Sequence, residues 1–234
     1  MALNQTVLPP LETKSRFVRA MFDRIAPRYD LLNRVLTFGL DQRWRRRLVD
    51  ELQLKAGARV LDLATGTGDL VLLCRERGAV PIGIDLAGVM LQQAQRRGAG
   101  PLLAQADGSL LPLASETIDA ITCGFAVRNF TDLESVVREC ARVLKPGGRL
   151  ALLEVDQPSS RTLRTLHGLY FRGVVPRVGG WLSDREAYRY LPESTAFLPP
   201  ESEFRALLQQ VGFRSIEKRT HMLGAVQAIR ATRA

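Results

Sequence analysis

An apolar run that passes directly into a small-residue turn, VLDLATGTGD at residues 60–69, is the feature that most constrains the fold of this chain. A second apolar run follows and ends at Asp85, seventeen residues after Gly68. This order predicts a buried strand, a tight turn, a helix and a second strand that ends in a carboxylate. The same order builds the nucleotide-type binding sites of parallel α/β sheets. An ordinary parallel-sheet turn is the alternative interpretation.

The residues that the turn lacks indicate the ligand. Sites that bind a pyrophosphate use G-x-G-x-x-G, whereas Val71 occupies the place of the third glycine here. Asp62, at the tip of the first strand, would repel a phosphate and attract an amino group. S-adenosylmethionine carries an ammonium, a sulfonium and a ribose, and it has no phosphate. We therefore predict a site for S-adenosylmethionine in which Gly66 and Gly68 form the turn and Asp85 binds the ribose hydroxyls.

Strands and helices are predicted to alternate over most of the chain. The predicted strands are 59–63, 80–85, 102–106, 118–123, 149–155, 213–219 and 224–231, and the predicted helices include 68–77, 87–97, 133–143 and 201–211. This alternation is typical of a doubly wound α/β fold, Rossmann-like, with a seven-stranded and mostly parallel sheet. Ligands of such sheets bind at the carboxyl ends of the strands, where Asp62, Asp85, Asp107 and Gly124 fall.

A single domain is predicted over residues 16–234, after a flexible N-terminus at 1–15. Apolar residues recur at helical spacing near the start of the domain, which predicts N-terminal helices over 16–55. The stretch 156–200 is rich in Arg, Gly, Pro and aromatic residues. We expect this stretch to be irregular and to form a substrate cap over the pocket.

The net charge of +9 lies at the two ends of the chain. Residues 1–50 hold ten Lys and Arg against five Asp and Glu, and residues 156–234 hold twelve against seven. Residues 51–155 are near neutral, with eleven against twelve. Basic flanks predict reversible contact with an anionic membrane surface; an Arg-rich composition without special affinity is the alternative. The contact is predicted to be made mainly by residues 16–47, with Arg43, Arg45, Arg46 and Arg47.

Cysteine usage and hydropathy argue against disulfides, a metal site, a membrane-spanning helix and a signal peptide. Cys74, Cys123 and Cys140 have no C-x-x-C spacing, so neither a disulfide nor a metal site is predicted. No apolar run reaches the ~20 residues that cross a bilayer, and the first residues lack the features of a signal peptide. We expect a cytoplasmic protein that is peripherally associated with the inner face of the membrane.

Four segments, residues 21–33, 62–69, 125–132 and 188–194, together resemble one family. The chain is similar, from about residue 16 to 230, to the quinone-biosynthesis C-methyltransferases, the demethylmenaquinone and demethoxyubiquinol methyltransferase group. The resemblance implies a class I methyltransferase fold with an antiparallel final strand and S-adenosylmethionine as donor. It also implies C-methylation of a polyprenylated hydroquinone, above all demethylmenaquinol to menaquinol. A benzoquinol of the ubiquinone pathway, or another small phenolic, nitrogen or oxygen acceptor, is the alternative.

The resemblance also carries a set of cofactor-binding residues over to this sequence. They are Thr67, Asp85, Asp107, Gly108 and Gly124. The family usually has Ser at the last of these positions, and Gly124 cannot supply a hydroxyl. Val155 and Asp156 also depart from the family, which commonly has Phe-Ser there. These departures leave the reaction type unchanged and affect the contacts with donor and substrate.

Methylation of a ring carbon needs an electron-rich ring, and ionisation of a hydroxyl group supplies it. The site therefore needs a cation near the oxygen and a proton acceptor. Arg128 is the predicted cation, since its guanidinium stays charged at any working pH. A surface position or an ion pair with Asp132 is the alternative for Arg128. Asn129 is predicted to orient a substrate oxygen or a water, and a plain loop role is its alternative.

Three further residues have predicted roles around the donor. Asp69 is the predicted proton acceptor; capping of the helix that begins there is the alternative. Tyr29 is predicted to close the donor site as a lid, with aromatic packing as the alternative. His167 is the second candidate base, and a structural role is the alternative.

Two other functions compete with methylation of a small molecule as interpretations of this sequence. The basic flanks favour nucleic-acid modification, but residues 123–126 (CGFA) lack the Asn/Asp-Pro-Pro-aromatic arrangement of enzymes that methylate DNA amino groups. A non-catalytic nucleotide-binding scaffold is disfavoured by the intact acids Asp62, Asp85 and Asp107. The expected partners are an isoprenoid quinol, an anionic membrane surface and a second copy of the chain in a homodimer, with no nucleic acid.

Overall fold

The computed structural model describes residues 8–158 and 160–234. In these two ranges the chain forms seven β-strands. They are β1 (Arg59–Leu63), β2 (Val80–Asp85), β3 (Leu103–Gln105), β4 (Ile118–Gly124), β5 (Leu144–Val155), β6 (Phe213–His221) and β7 (Val226–Arg233).

Ten α-helices occupy the same described ranges. They are α1 (Leu11–Ile25), α2 (Tyr29–Leu36), α3 (Leu40–Glu51), α4 (Asp69–Glu76), α5 (Gly88–Arg96), α6 (Leu133–Val143), α7 (Arg161–Leu169), α8 (Val175–Leu182), α9 (Arg185–Glu193) and α10 (Glu201–Gln210). A π-helical turn at Tyr170–Val174 joins α7 to α8, and a 3₁₀ turn at Val127–Asn129 follows β4.

The strands form one sheet in the order β3-β2-β1-β4-β5-β7-β6. Strands β1 to β5 are parallel to one another, whereas β7 runs antiparallel to both β5 and β6. The predicted doubly wound, mostly parallel seven-stranded sheet is confirmed. The strand order reverses between β1 and β4, so the carboxyl ends of these strands border the crevice where such sheets bind ligands.

Strand bounds agree with the predicted ones to within two residues, except at β5. This strand begins at Leu144 rather than at residue 149, because Leu144 already pairs with Ile118. A register shift then absorbs the Lys145–Gly148 turn. A Cβ at Gly148 would lie 2.8 Å from the Lys145 carbonyl oxygen, so only glycine fits this irregular segment.

Helix α1 begins at Leu11 rather than at residue 16. Its buried face includes Val18, Met21 and Ile25, at helical spacing, and Lys14 donates to the Phe130 carbonyl oxygen at 2.8 Å. Residues 11–15, which are expected from the sequence to belong to a flexible N-terminus at 1–15, are therefore helical. The first seven residues lie outside the part of the chain that the structure describes.

The stretch predicted to be an irregular cap is largely helical, so that prediction is wrong in its local structure. Pro176 lies in the first turn of α8, where its missing N–H costs no helical hydrogen bond, whereas Pro192 lies inside the last turn of α9. Gly179 lets α8 and α9 approach closely, because a Cβ there would overlap the ring of Tyr188.

Three of the four apolar clusters among the described residues join the helices to the sheet and to the cap. One packs α6 and α10 against the sheet, and a second packs α3 and α4 against it. The third joins α1 and α5 to the cap, where Met21 and Met90 meet Tyr188 and Tyr190. The N-terminal helix and the cap therefore lie together beside the carboxyl ends of the central strands.

Candidate active site

A cavity of about 330 Å³ lies at the carboxyl ends of β1, β2 and β4. This volume is in the range of small-molecule sites, roughly 300–1,000 Å³. Seven of the residues predicted from sequence line it. They are Tyr29, Gly66, Asp85, Asp107, Gly108, Gly124 and Asn129. Five others lie behind the lining, namely Asp62, Thr67, Gly68, Asp69 and Arg128.

The glycine turn follows β1 with backbone in the left-handed region. Gly66 and Gly68 have φ of +54° and +86°, which favours glycine at both positions. A Cβ at Gly68 would also lie 3.1 Å from Ala99 and 3.2 Å from Ala94, at the end of α5. Gly68 thus provides the close packing that dinucleotide sites obtain from a third glycine.

Asp62 lies beneath the turn and is buried. Its two carboxylate oxygens accept hydrogen bonds from the hydroxyls of Thr65, at 2.6 Å, and Thr122, at 2.8 Å. Burial raises the pKa of Asp62 to about 7. The carboxyl group therefore ties the turn to β4. Its predicted contact with the ammonium of the donor stays a prediction.

Asp85 ends β2 and its carboxylate borders the cavity. It accepts hydrogen bonds from the backbone amides of Gly66, at 2.7 Å, and Ala87, at 2.8 Å. These contacts hold the carboxylate beside the turn. Burial raises the pKa of Asp85 to about 6, so the group is ionised at neutral pH and becomes protonated in mild acid.

The opposite wall of the cavity is built on Asp107 and two glycines. Asp107 accepts hydrogen bonds from the amide of Ser109 at 2.9 Å and from its hydroxyl at 2.8 Å. A Cβ at Gly108 would lie 3.3 Å from Leu63, and one at Gly124 would lie 3.2 Å from Leu70. The absence of side chains at these two positions keeps the cavity open.

Thr67 belongs to a polar network that joins three segments of chain. Its hydroxyl donates to Asp30 at 2.6 Å, and the guanidinium of Arg97 donates to its carbonyl oxygen at 2.8 Å. Arg97 also pairs with Asp30 at 3.0 Å and with Asp69 at 2.6 Å. Thr67 is buried and does not line the cavity, and its predicted contact with the donor stays a prediction.

Asp69 is enclosed by cations and does not line the cavity. Arg97 and Gln42 donate to it at 2.6 Å and 2.9 Å, and Nε of Arg45 lies 3.6 Å away. Burial raises the pKa of Asp69, but the charges of Arg45 and Arg97 and these hydrogen bonds outweigh burial, so the pKa lies below its usual value. A carboxylate held in this way is a weak proton acceptor.

Arg128 is buried and its guanidinium donates to the carboxylate of Glu154 near the end of β5. It also donates to the Phe125 carbonyl oxygen at 2.8 Å and to the hydroxyl of Ser194 at 3.1 Å. The ion-pair partner is thus Glu154 rather than the alternative Asp132. A direct contact of Arg128 with substrate stays a prediction.

Asn129, in the 3₁₀ turn after β4, and Tyr29, at the start of α2, both line the cavity. Oδ1 of Asn129 accepts a hydrogen bond from the hydroxyl of Tyr190 at 3.1 Å, which leaves its amide nitrogen as the donor that can meet a ligand. The ring of Tyr29 packs against Phe22 edge to face, with centroids 5.9 Å apart. Burial raises the pKa of Tyr29, so its hydroxyl stays protonated.

His167 lies on α7, where its ring stacks on Phe171 at 5.2 Å, and it does not line the cavity. Within residues 8–158 and 160–234, no group of three His, Cys, Asp or Glu side chains is arranged to hold a metal ion. The geometry therefore assigns neither a His base nor a metal to this cavity.

Sequence reasoning missed Glu154, Arg97 and Tyr190. For Glu154 a signal existed, because it lies near the carboxyl end of a strand, as do Asp62 and Asp85. For Arg97 no local pattern exists, because it reaches a threonine thirty residues earlier in the chain. The pairing of Tyr190 with Asn129 depends on how the cap docks.

The lining suits S-adenosylmethionine. Among the described residues that form it are three carboxylates, Asp85, Asp107 and Asp132, and no Lys or Arg. Such a lining attracts a cationic ligand and disfavours a phosphate. The apolar side chains of Ile84 and Met90 complete the wall beside Asp85 and can pack on the flat adenine ring of the donor.

Comparison with known proteins agrees with this lining. The family model described as "ubiE/COQ5 methyltransferase family" matches residues 11–233. A C-methyltransferase UbiE of ubiquinone and menaquinone biosynthesis from Syntrophotalea carbinolica is 46% identical over 212 residues, which are 86% of this chain and 87% of the relative. A demethylmenaquinone methyltransferase from Thermus thermophilus is 46% identical over 200 residues, which are 82% of this chain and 91% of the relative.

Solved structures show the same fold at lower identity. A putative S-adenosyl-L-methionine-dependent methyltransferase from Methanococcus maripaludis superposes with a TM-score of 0.66 at 16% identity, over 91% of this chain and 93% of the other. The match of the family model over nearly the whole chain is decisive. The chain belongs to the ubiE/COQ5 methyltransferase family and is an S-adenosylmethionine-dependent methyltransferase.

Proposed function

We propose that this enzyme methylates a carbon of a polyprenylated hydroquinone ring, converting demethylmenaquinol to menaquinol. The observation that carries this proposal is a cavity lined by three carboxylates and no Lys or Arg, in a chain with two relatives named for quinone biosynthesis. A benzoquinol acceptor is the second candidate, because the printed name of one relative covers both ubiquinone and menaquinone biosynthesis.

S-adenosylmethionine supplies a methyl group that is already activated by its sulfonium. The residues of the chain therefore have to bind and align the reactants, and positioning of this kind can contribute about 7–11 kcal/mol. The carboxylate of Asp85, which the amide of Gly66 holds in place, accepts hydrogen bonds from the ribose hydroxyls. Asp107 and Gly108 bound the other end of the donor, beside the apolar wall. Asp62 and Thr67 keep the turn in shape from behind.

The acceptor ring lies toward Asn129, whose amide nitrogen donates to a ring oxygen, and Tyr29 covers it from α2. Arg128 stands behind Asn129 with its charge offset by Glu154. We infer that Arg128 positions the loop of Asn129 and contributes a weaker positive potential than an unpaired guanidinium would. Asp69, with its lowered pKa, is a weak candidate for the proton acceptor.

An isoprenoid quinol resides in the bilayer, so the proposal requires reversible contact with the inner face of a membrane. No helix in the described part of the chain is both long and apolar enough to cross one. Of the four arginines predicted to make the contact, Arg45 is buried and pairs with Asp41 at 2.6 Å. Arg43, Arg46 and Arg47 are exposed on α3, and Arg47 pairs with Glu51 at 3.2 Å. A homodimer remains part of the proposal.

Transfer of a labelled methyl group tests the proposal directly. The purified chain is incubated with methyl-labelled S-adenosylmethionine and a short-tailed demethylated naphthoquinol, a matching benzoquinol, or bulk RNA. We expect label in the naphthoquinol, at a much higher rate than in the benzoquinol and with none in RNA. The Asp85→Ala variant is the control for enzyme-dependent transfer. Label in neither quinol would contradict the proposed function.

A further inference from the structure

Helices α7 and α8 and the π-helical turn between them present an unusually apolar outer surface. Trp181 is 84% exposed and Leu169 is 67% exposed, and Leu166 and Val174 are exposed as well. Helix α7 has no buried residue, so packing in the core does not explain its apolar side chains. We call these four residues the cap surface.

A second apolar stripe lies on α2, which packs against α8. Leu31 and Val35 lie four residues apart on α2, Phe38 lies in the turn that follows this helix, and all three are exposed, Phe38 to 75%. The hydroxyl of Tyr170 donates to the Leu36 carbonyl oxygen at 2.6 Å, which ties this helix to the cap. Phe38 also has a φ of +53°, a conformation that a bulky side chain seldom adopts. We call these three residues the α2 stripe.

The charge around the cap surface is predominantly positive. Residues 160–182 contain four arginines and no Asp or Glu. An open cavity of about 930 Å³ beside Trp181 is lined by Arg172, Arg177, Arg185 and Arg189, with Glu193 as the one carboxylate among its described lining residues. The nearby acids Asp184 and Glu186 are both paired with Arg24, each at 2.9 Å.

Exposed apolar side chains among arginines are the composition of a surface that binds an anionic bilayer. A second copy of the chain fits less well, because a symmetric dimer would bring the same arginines of both copies face to face. We propose that the cap surface and the α2 stripe together dock onto an anionic lipid bilayer. This inference rests on the proposed function, since it names the surface through which the enzyme meets a membrane-bound quinol.

The placement of α2 gives docking a consequence for the active site. Tyr29, the first residue of α2, lines the cavity, and Leu31 of the α2 stripe is two residues further along. Docking therefore places the bilayer beside the segment that covers the cavity. An isoprenoid tail can then stay in lipid while the ring reaches Asn129. The arginines of α3 are not needed for this arrangement.

Vesicle flotation of the full chain tests the inference. Vesicles of phosphatidylcholine are compared with vesicles in which about a third of the lipid is phosphatidylglycerol, at low and high salt. We expect the wild type to float only with anionic vesicles, and the Trp181→Ser/Leu169→Ser variant to partition at least about tenfold less. The matched control is Leu102→Ser, at an exposed apolar site near the start of β3 that is 47% exposed, and it should float like the wild type.

A charge variant separates this surface from α3. Arg172→Gln/Arg177→Gln should weaken flotation, whereas Arg43→Gln/Arg46→Gln should leave it within about twofold. Fluorescence adds a second readout, because Trp44 is buried and Trp181 is exposed, so emission should shift to the blue on binding. Equal flotation of the Trp181→Ser/Leu169→Ser variant and the wild type would overturn the inference, as would loss of flotation in the α3 variant alone.

Activity on a soluble substrate separates this inference from the proposed function. The Trp181→Ser/Leu169→Ser variant should methylate a short-tailed quinol in solution at the wild-type rate and lose activity toward a long-tailed quinol in vesicles. A wild type that floats but methylates neither quinol would refute the proposed function and leave the docking surface standing. A dimer that this variant dissociates, with no flotation of the wild type, would assign the surface to a second copy and refute the inference.

Discussion

The guanidinium of Arg128 and the carboxylate of Glu154 form an ion pair that is almost fully buried, at the carboxyl end of the central sheet. Arg128 also donates to Ser194 of the cap, and its neighbour Asn129 accepts from Tyr190 of α9. One ion pair thus connects β5, the loop after β4 and the cap. The docking of the cap and the shape of the acceptor side of the cavity are therefore coupled.

Removal of either member of this ion pair should destabilise the folded protein. Arg128→Met or Glu154→Gln alone leaves an uncompensated buried charge, and each should lower the free energy of unfolding by about 3–5 kcal/mol. The double variant should lose much less than the sum of the two, since no unpaired charge remains. Urea denaturation of all four proteins measures this coupling. Additive losses would show that the two side chains act independently.

Arg128→Lys should bind S-adenosylmethionine normally and transfer the methyl group much more slowly. Lysine keeps the charge but lacks the planar fork that reaches Glu154, Ser194 and the Phe125 carbonyl oxygen together. Calorimetric titration of the donor and single-turnover rates separate the two effects. Ser194→Ala, which removes only the cap contact, is the control. A wild-type transfer rate in Arg128→Lys would limit Arg128 to a structural role.

Asp85→Ala should weaken donor binding by about ten- to a hundredfold, because two hydrogen bonds from ribose to a charged acceptor are lost. The pKa of about 6 adds a pH dependence. Only the carboxylate accepts both hydroxyls, so wild-type affinity should fall as the pH is lowered through about 6, and that of Asp85→Asn should stay flat. Titration calorimetry at pH 5 to 8 is the measurement. Equal affinities for wild type and Asp85→Ala would refute the assignment of Asp85.

Asp69 should stabilise the fold rather than act as the base. Because its pKa is lowered in the folded protein, its stabilisation is present above the pKa of the unfolded state and is lost as the pH falls through the folded-state pKa. The deficit of Asp69→Asn, about 1–3 kcal/mol at pH 7, should therefore shrink below about pH 4. Denaturation at pH 7, 4 and 3 measures this difference.

The control for Asp69 is Asp50→Asn, which breaks an exposed pair with Arg77 and should cost at most about 1 kcal/mol. The pH dependence of methyl transfer should also keep its shape in Asp69→Asn. A basic group that disappears from the rate profile of this variant would restore Asp69 as the proton acceptor.

Tyr190→Phe should slow methyl transfer by about three- to tenfold without weakening donor binding, since it frees Asn129 from its only described side-chain partner. Stability should fall by about 1 kcal/mol. The matched control lies two residues away. The hydroxyl of Tyr188 is buried with no hydrogen-bond partner among the described residues, so Tyr188→Phe should be neutral or stabilising. Equal effects of the two substitutions would show that the contact with Asn129 is unimportant.

The sequence by itself determined the sheet, the turn after β1 and the acids at the strand ends. Alternating hydrophobic patterns and glycine positions are local signals, and a parallel sheet necessarily gathers the carboxyl ends of its strands at one edge. For this reason the positions of Asp85, Asp107 and Gly66 at the ends of predicted strands are enough to predict that they lie at the cavity. The same local signals failed in the cap, where Gly and Pro indicated irregular chain but the segments are helical because α8 and α9 pack on each other.

Only the tertiary structure decided which charges face the cavity and which are offset. The sequence predicts Arg128 as the cation of the site, yet Glu154, twenty-six residues later, forms an ion pair with it. The sequence predicts Asp69 as the proton acceptor, yet its carboxylate forms ion pairs with Arg97 and Arg45 from other segments of the chain. Such pairs depend on distances between segments far apart in the chain. Since electrostatic energy falls with distance and rises on burial, the role of each charged residue follows from the fold.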